Sequence, residues 1–160
     1  MTDFRIGNGY DVHRIADGLT MHLCGVEIDC GYGFVAHSDG DVAIHALCDA
    51  ILGALALGDI GKHFPDTSDE FKGIDSRILL KRVIELAEKE GGWSIVNADI
   101  TIALQKPKIA GLISSMRTSL ASTIGCSVDR ISVKATTTEK LGFVGRGEGC
   151  EVWATVLMGR

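Results

Sequence analysis

The fold class this sequence predicts is α+β, a two-layer sandwich with helices on one face of a single sheet, and three observations carry the prediction. Several short stretches alternate apolar and polar residues, as a half-buried strand requires. Two longer segments instead repeat their apolar residues at helical spacing. The order is mixed, with few helices among several strands, which favours helices gathered on one side of a sheet. The chain has 160 residues, and a domain near that length buries roughly 70% of the surface its unfolded chain exposes. No internal repeat, low-complexity tract or composition break divides it, so residues 1–160 are read as one domain.

Residues 4–14 (FRIGNGYDVHR) alternate as a strand, and 20–30 (TMHLCGVEIDC) read as a hairpin turning near Gly25. Residues 31–40 read as loop. A helix follows over 41–57, opened by Ser38 with an acid three residues later at Asp41, a capping-box-like start, and stopped by Gly58. Residues 58–73, with Pro65 and Asp66, are irregular. Residues 75–90 form an amphipathic helix ended by Gly91-Gly92. The remainder reads as a strand (94–104), a helix after Pro107 (108–124), a strand (130–136), a glycine-rich loop and a last strand (151–158).

Composition narrows the function classes. The chain is 46% hydrophobic and 23% charged, as soluble globular proteins are, and its formal net charge of −5 argues against a nucleic-acid or anionic-membrane binder, which needs an excess of Lys and Arg. The five cysteines contain no CxxC and several sit among apolar residues, so reduced, mostly buried thiols are expected. Met1-Thr2-Asp3-Phe4-Arg5 lacks an apolar signal stretch, and the longest apolar region, 42–58, is broken by His45 and Asp49. A soluble, cytoplasm-like location follows, or an organelle if a transit peptide is removed.

Three constellations carry chemistry. Asp11 and His13 lie two apart on a strand and project from one face, as a metal pair or a plain surface pair would. Asp41, His45 and Asp49 recur every four residues along a helix that is otherwise apolar, so these polar groups need partners; His45 is the natural third ligand, or a satisfied core histidine. Two imidazoles and one carboxylate would leave a tetrahedral Zn²⁺ one open position and a net charge near +1, enough to attract phosphate to an acidic protein. The third is Lys134 to Gly149, in which Thr136, Thr137 and Thr138 precede Glu139 and a glycine-rich run. Hydroxyls and unhindered N–H groups suit phosphate oxygens and Glu139 suits Mg²⁺, although a flexible hairpin loop would look similar.

Together with His37-Ser38-Asp39-Gly40-Asp41, Gly58 to Thr67 and Gln105-Lys106-Pro107-Lys108, these segments resemble the cyclodiphosphate synthases of the non-mevalonate isoprenoid pathway along nearly the whole chain. The resemblance implies an intramolecular reaction: the 2-phosphate of 4-diphosphocytidyl-2-C-methyl-D-erythritol 2-phosphate attacks the β-phosphorus, closing a cyclic diphosphate and expelling CMP. It implies one Zn²⁺ per subunit on Asp11, His13 and His45, and Mg²⁺ or Mn²⁺ at Glu139. By the same similarity His37 and Thr137 stabilise the transition state, and Ser38 meets substrate phosphate at a helix N-terminus. Asp59, Ile60 and Gly61 match a ribose-contacting turn, and Phe64, Pro65, Asp66, Thr67 and Ser68 a substrate loop. Leu104, Gln105, Lys106, Pro107, Lys108, Ile109 and Ala110 match a cytidine pocket; Thr136, Thr138, Phe143 and Arg146 match further substrate positions. The family's subunit has a mixed four-stranded sheet and assembles as a homotrimer with active sites between subunits.

Two other function classes compete on the ligand types alone. A 2-His-1-carboxylate iron oxygenase uses the same donors but is usually built on an all-β barrel, which the helical patterns oppose. A trimeric, metal-stabilised binding protein would close its zinc shell with a fourth ligand, and none is evident.

Overall fold

The computed structural model describes residues 3–65 and 67–160. Its first strand, β1 (Phe4–Asp17), pairs antiparallel with the last, β7 (Gly149–Gly159), from Phe4↔Gly159 to Arg14↔Gly149. On its other side β7 pairs antiparallel with β5 (Ser94–Ala103), which runs parallel to β6 (Ile131–Thr136). The far end of β1 reaches past β7 and pairs Arg14–Asp17 with β4 (Tyr32–Val35). The mixed sheet therefore has five strands, in the order β4-β1-β7-β5-β6, not four. The additional strand lies in the segment read as loop. Its four residues are too few for an alternation signal, and the β1 extension supplies the pairing that orders them.

The hairpin forms as a separate pair, β2 (Met21–Leu23) and β3 (Val26–Ile28). Its turn residues, Cys24 and Gly25, take φ of 53° and 73°. Positive φ at both central positions is the type I′ geometry that matches strand twist.

Three helices cover one face of the sheet: α1 (Val42–Ala54) lies on β1 and β7, α3 (Ser76–Lys89) contacts β5, and α4 (Ile113–Ile124) packs on β6. The α3 helix is amphipathic as its pattern predicts, with Leu79, Leu80, Val83 and Ala87 buried. By contrast, α1 is buried almost all round. It ends earlier than Gly58, because Ala56 adopts φ of 58° and the Leu57 N–H returns to the Leu52 carbonyl. Its start differs too: the cap is Asp41 itself, whose side chain accepts from the Ile44 N–H. After Pro107 the chain makes a 3₁₀ turn (Ala110–Leu112) before α4 begins, so Lys108 and Ile109 stay outside the helix. The irregular segment contains the short α2 (Ile60–His63) and a 3₁₀ turn (Asp69–Phe71). The glycine-rich loop contains α5 (Gly142–Gly145).

The two layers meet most closely where α1 crosses β1. A Cβ on Gly9 would overlap the Ala46 carbonyl oxygen, and one on Gly7 the Ala50 carbonyl oxygen. The helix presents Ala46, Ala50 and Ala54 at four-residue spacing to these two glycines. Small residues on both sides thus let the helix backbone rest on the strand backbone.

The opposite face of the sheet has no covering layer among the described residues. Phe4, Ile6, Tyr10, Val12 and Trp153 are exposed there, with Ile6 at 72%. Among the described residues no helix is long and apolar enough to cross a membrane.

Because the obstruction at Gly9 is backbone rather than a movable side chain, Gly9→Ala is expected to destabilise the protein by about 3 kcal/mol or more. Urea unfolding followed by circular dichroism measures this; a loss under about 1 kcal/mol would show that α1 can lift off β1 at little cost.

Candidate active site

The same alternation that turns Gly7 and Gly9 toward α1 turns Asp11 and His13 that way two and four residues later. His45, one turn into α1, comes down beside them. Both His13 Nδ1 and His45 Nδ1 lie 3.2 Å from Asp11 Oδ2, and the imidazole centroids are 5.1 Å apart. One ligand atom from each of the three residues falls within 4.8 Å of the others, the arrangement of a group that could hold a metal ion. Burial alone would raise the Asp11 carboxyl, but the two imidazoles against it bring it down to about 2 from an ordinary 3.8. His13 Nδ1 is buried without a hydrogen-bond partner. A buried nitrogen aimed at a carboxylate oxygen beside a second imidazole is satisfied by a cation among the three, so the residues present fit a metal.

Around this group is a cavity of about 340 Å³. His13, His37, Ser38 and His45 give it a polar wall, and Ile60, Gly61, Phe64, Phe71 and Leu79 an apolar one. The His37 ring is fixed by its Nε2–H, which donates to the Ser68 carbonyl at 3.0 Å. Ser38 Oγ lies 3.1 Å from His45 Nε2 and accepts from the Gly40 N–H. Asp59 caps α2 by accepting from the Lys62 N–H.

Only His45 of the α1 stripe joins the metal group. Asp41 is fully buried and accepts from the N–H groups of Cys24, Gly25 and Ile44, fastening the hairpin turn to the helix start. Burial raises its carboxyl and these three donors only partly offset that. At the N-terminus of α1 the Ile44 N–H is thus taken by the protein's own Asp41 carboxylate. Asp49 accepts from the Ile60 N–H at 2.7 Å and ties the Asp59-Ile60-Gly61 turn to the helix.

A second cavity, of about 150 Å³, is lined by Leu104, Gln105, Pro107, Lys108, Ile109 and Ala110 with Ala135, Thr136 and Thr137. It shares no residue with the first. Next to it the threonine loop is ordered by its own hydroxyls: Thr137 Oγ1 donates to Glu139 Oε1 and Thr138 Oγ1 to the Leu141 carbonyl. Glu139 and Lys140 have φ of 52° and 65°, and the Lys140 N–H reaches Gln105 Oε1. Glu139 lies outside the Asp11 group, and Lys106, Thr138, Phe143, Arg146, Pro65 and Thr67 line neither cavity. Arg146 is exposed and paired with Glu148. Asp66, expected in the substrate loop, falls outside the described residues.

One residue in this region, Ser76, escapes sequence reasoning. Ser76 Oγ donates to Asp39 Oδ1 and lies 3.1 Å from His45 Nε2. A serine in the first turn of an amphipathic helix carries no local signal, and its partner is 37 residues away.

A YgbB family profile matches residues 4–159. The 2-C-methyl-D-erythritol 2,4-cyclodiphosphate synthase of Pseudoalteromonas translucida is 58% identical over 156 residues, 98% of this chain and 94% of its own. That of Azotobacter vinelandii is 57% identical over 154 residues, 96% of this chain and 98% of its own. Among solved structures, a CDP-bound 2C-methyl-D-erythritol-2,4-cyclodiphosphate synthase superposes with a TM-score of 0.88 at 37% identity, over 96% of this chain and 99% of that one. The bifunctional IspDF from Campylobacter jejuni gives a TM-score of 0.94 at 44% identity over 99% of this chain, which spans 43% of that longer protein. Agreement that runs from β1 through β7 in sequence and in fold has one reading: the chain belongs to the YgbB family, alongside the cyclodiphosphate synthases it resembles.

Proposed function

We propose that this chain is a single-domain phosphorus–oxygen lyase that converts 4-diphosphocytidyl-2-C-methyl-D-erythritol 2-phosphate to 2-C-methyl-D-erythritol 2,4-cyclodiphosphate and CMP. The observation that carries the reading is the meeting of Asp11, His13 and His45 at the wall of a cavity, in a member of this family. An oxygen of the 2-phosphate forms the new bond to the β-phosphorus, and the bond from that phosphorus to the α-phosphate bridging oxygen breaks, leaving its electron pair on CMP. No protein nucleophile is required, so the residues act by positioning and by balancing charge.

Asp11, His13 and His45 would hold Zn²⁺, one per subunit, and Glu139 would contact Mg²⁺ or Mn²⁺ on the diphosphate. Bound there, these ions supply positive charge that draws phosphate oxygens to an acidic protein and withdraws electrons from phosphorus. His37, with its ring held by Ser68, and Thr137, bonded to Glu139, are the candidates for stabilising the transition state. Ser38 would orient the methylerythritol phosphate. The Asp59-Ile60-Gly61 turn would take the ribose and Phe64 to Ser68 would cover the substrate. The Leu104–Ala110 pocket would read the cytosine through backbone groups, with Lys108 toward phosphate and Lys106, Thr136, Thr138, Phe143 and Arg146 around it.

We further propose a homotrimer with the site shared between subunits. Two observations support it: the metal group and the cytidine pocket line separate cavities, and the open sheet face exposes a band of large apolar side chains that a partner would cover. The five free thiols fit a cytoplasmic location. The mixed sheet with its helical layer is unlike the all-β barrels that usually carry iron oxygenase chemistry.

Incubating the purified protein with the diphosphocytidyl substrate and Mg²⁺ should release CMP, and chromatography that found none would reject the activity. His45→Ala and Asp11→Asn should fold, lose zinc and lose at least about 100-fold in turnover; full activity in either removes the assigned ligands. Asp49→Ala should raise KM roughly tenfold by freeing the ribose turn, with a smaller change in kcat. An unchanged KM would separate that turn from binding. Finally, inactive His45→Ala and inactive Lys108→Glu chains, unfolded and refolded together, should regain activity in mixed trimers. A dead mixture with exchange verified by mass spectrometry would mean each site lies within one chain.

A further inference from the structure

Ser76 is fully buried at the start of α3, where its hydroxyl needs hydrogen-bond partners. Its hydroxyl has one proton, and that proton goes to Asp39 Oδ1 at 2.5 Å. Asp39 is itself held from several directions: Oδ2 accepts from the Ser76 N–H, Oδ1 also accepts from the Asp41 N–H, and the Asp39 N–H donates to the Ile74 carbonyl. Facing His45 Nε2 at 3.1 Å, Ser76 Oγ therefore has only lone pairs to offer, so Nε2 must be the donor. Ser38 Oγ, also 3.1 Å from Nε2, can serve in either sense and does not oppose this.

Resting on the metal reading above, we infer that Asp39 and Ser76 form a positioning pair that keeps the proton of His45 on Nε2 and so presents the Nδ1 lone pair to a metal shared with Asp11. The other side of the ring supports this. Nδ1 lies 3.2 Å from Asp11 Oδ2, where two electron pairs face each other unless a cation stands with them. A neutral imidazole has one proton and cannot satisfy Ser76 and Asp11 together. The pair thus gives the site a need for positive charge that a metal ion fills, and an outer partner of this kind also fixes ring orientation and raises ligand basicity.

The test reads zinc affinity and ring chemistry rather than turnover. In the native protein, chelator competition should give a measurable zinc Kd. In the zinc-loaded protein, ¹⁵N NMR should show His45 bound through Nδ1 with a slowly exchanging Nε2–H. Ser76→Ala, with its fold checked by circular dichroism, should raise the zinc Kd roughly 10- to 100-fold and make that proton exchange faster, and Ser76→Thr, which keeps the hydroxyl, should recover most of the affinity. A Ser76→Ala Kd within about twofold of native, or His45 bound through Nε2, overturns the inference. If neither variant folds, the native spectrum decides alone. Native protein without zinc affinity would instead overturn the metal reading itself, which separates that failure from failure of the pair.

Discussion

The direct seating of α1 on β1 is the constraint on which the rest of this structure depends. Gly7 and Gly9 remove two side chains from the strand, and Ala46 and Ala50 keep those on the helix short, so the two backbones come into contact. Any larger residue at these positions would hold helix and sheet at an ordinary packing distance. The consequence is chemical as well as mechanical. His45 sits beside Ala46 in sequence, and Asp11 and His13 continue the strand face that Gly7 and Gly9 begin. Closeness at the glycines therefore becomes closeness at the three ligand candidates, and a change in core packing would register as a change in site geometry.

The acids near α1 show how a buried polar network divides labour. Asp41 anchors a hairpin and caps the helix, Asp49 anchors the α2 turn, and Asp39 orients a serine; each accepts from neighbouring N–H groups. Carboxylates placed this deep need such donors to offset desolvation. Asp11 alone faces two imidazoles, and the difference follows from its place on the strand rather than the helix. A chain with a net charge of −5 thus concentrates several acids near α1 but commits most of them to the backbone, while Asp11 turns its Oδ2 toward the two imidazoles.

The sheet has two unlike faces. One is sealed by helices and holds the core, and the other exposes Phe4, Ile6, Tyr10, Val12 and Trp153. Asn8 sits in this row with its amide directed at the Ala154 carbonyl and Thr155, and Tyr10 donates to Glu151. Polar groups on this face pair within the sheet, which leaves its aromatic and aliphatic surface available to neighbouring subunits in the proposed trimer.

Local patterning decided much of this protein before any folding was considered. The alternation of β1, β5 and β7, the 3.6-residue period of α3 and the hairpin turn near Gly25 are legible in the sequence, because each is set by residues a few positions apart. Asp11, His13 and His45 stand out there as candidate ligands by residue type, but His45 lies 34 residues from Asp11 and only the fold brings them together. What the sequence left open depended on distant partners. Tyr32–Val35 becomes a strand only because β1 overruns β7, and Asp41 turns out to be a cap and clasp because Cys24 and Gly25 donate to it. Ser76 acquires its role from Asp39 and His45 on another segment. Pairing, desolvation and proton direction are properties of groups brought together in space, and only the tertiary structure brings these groups together.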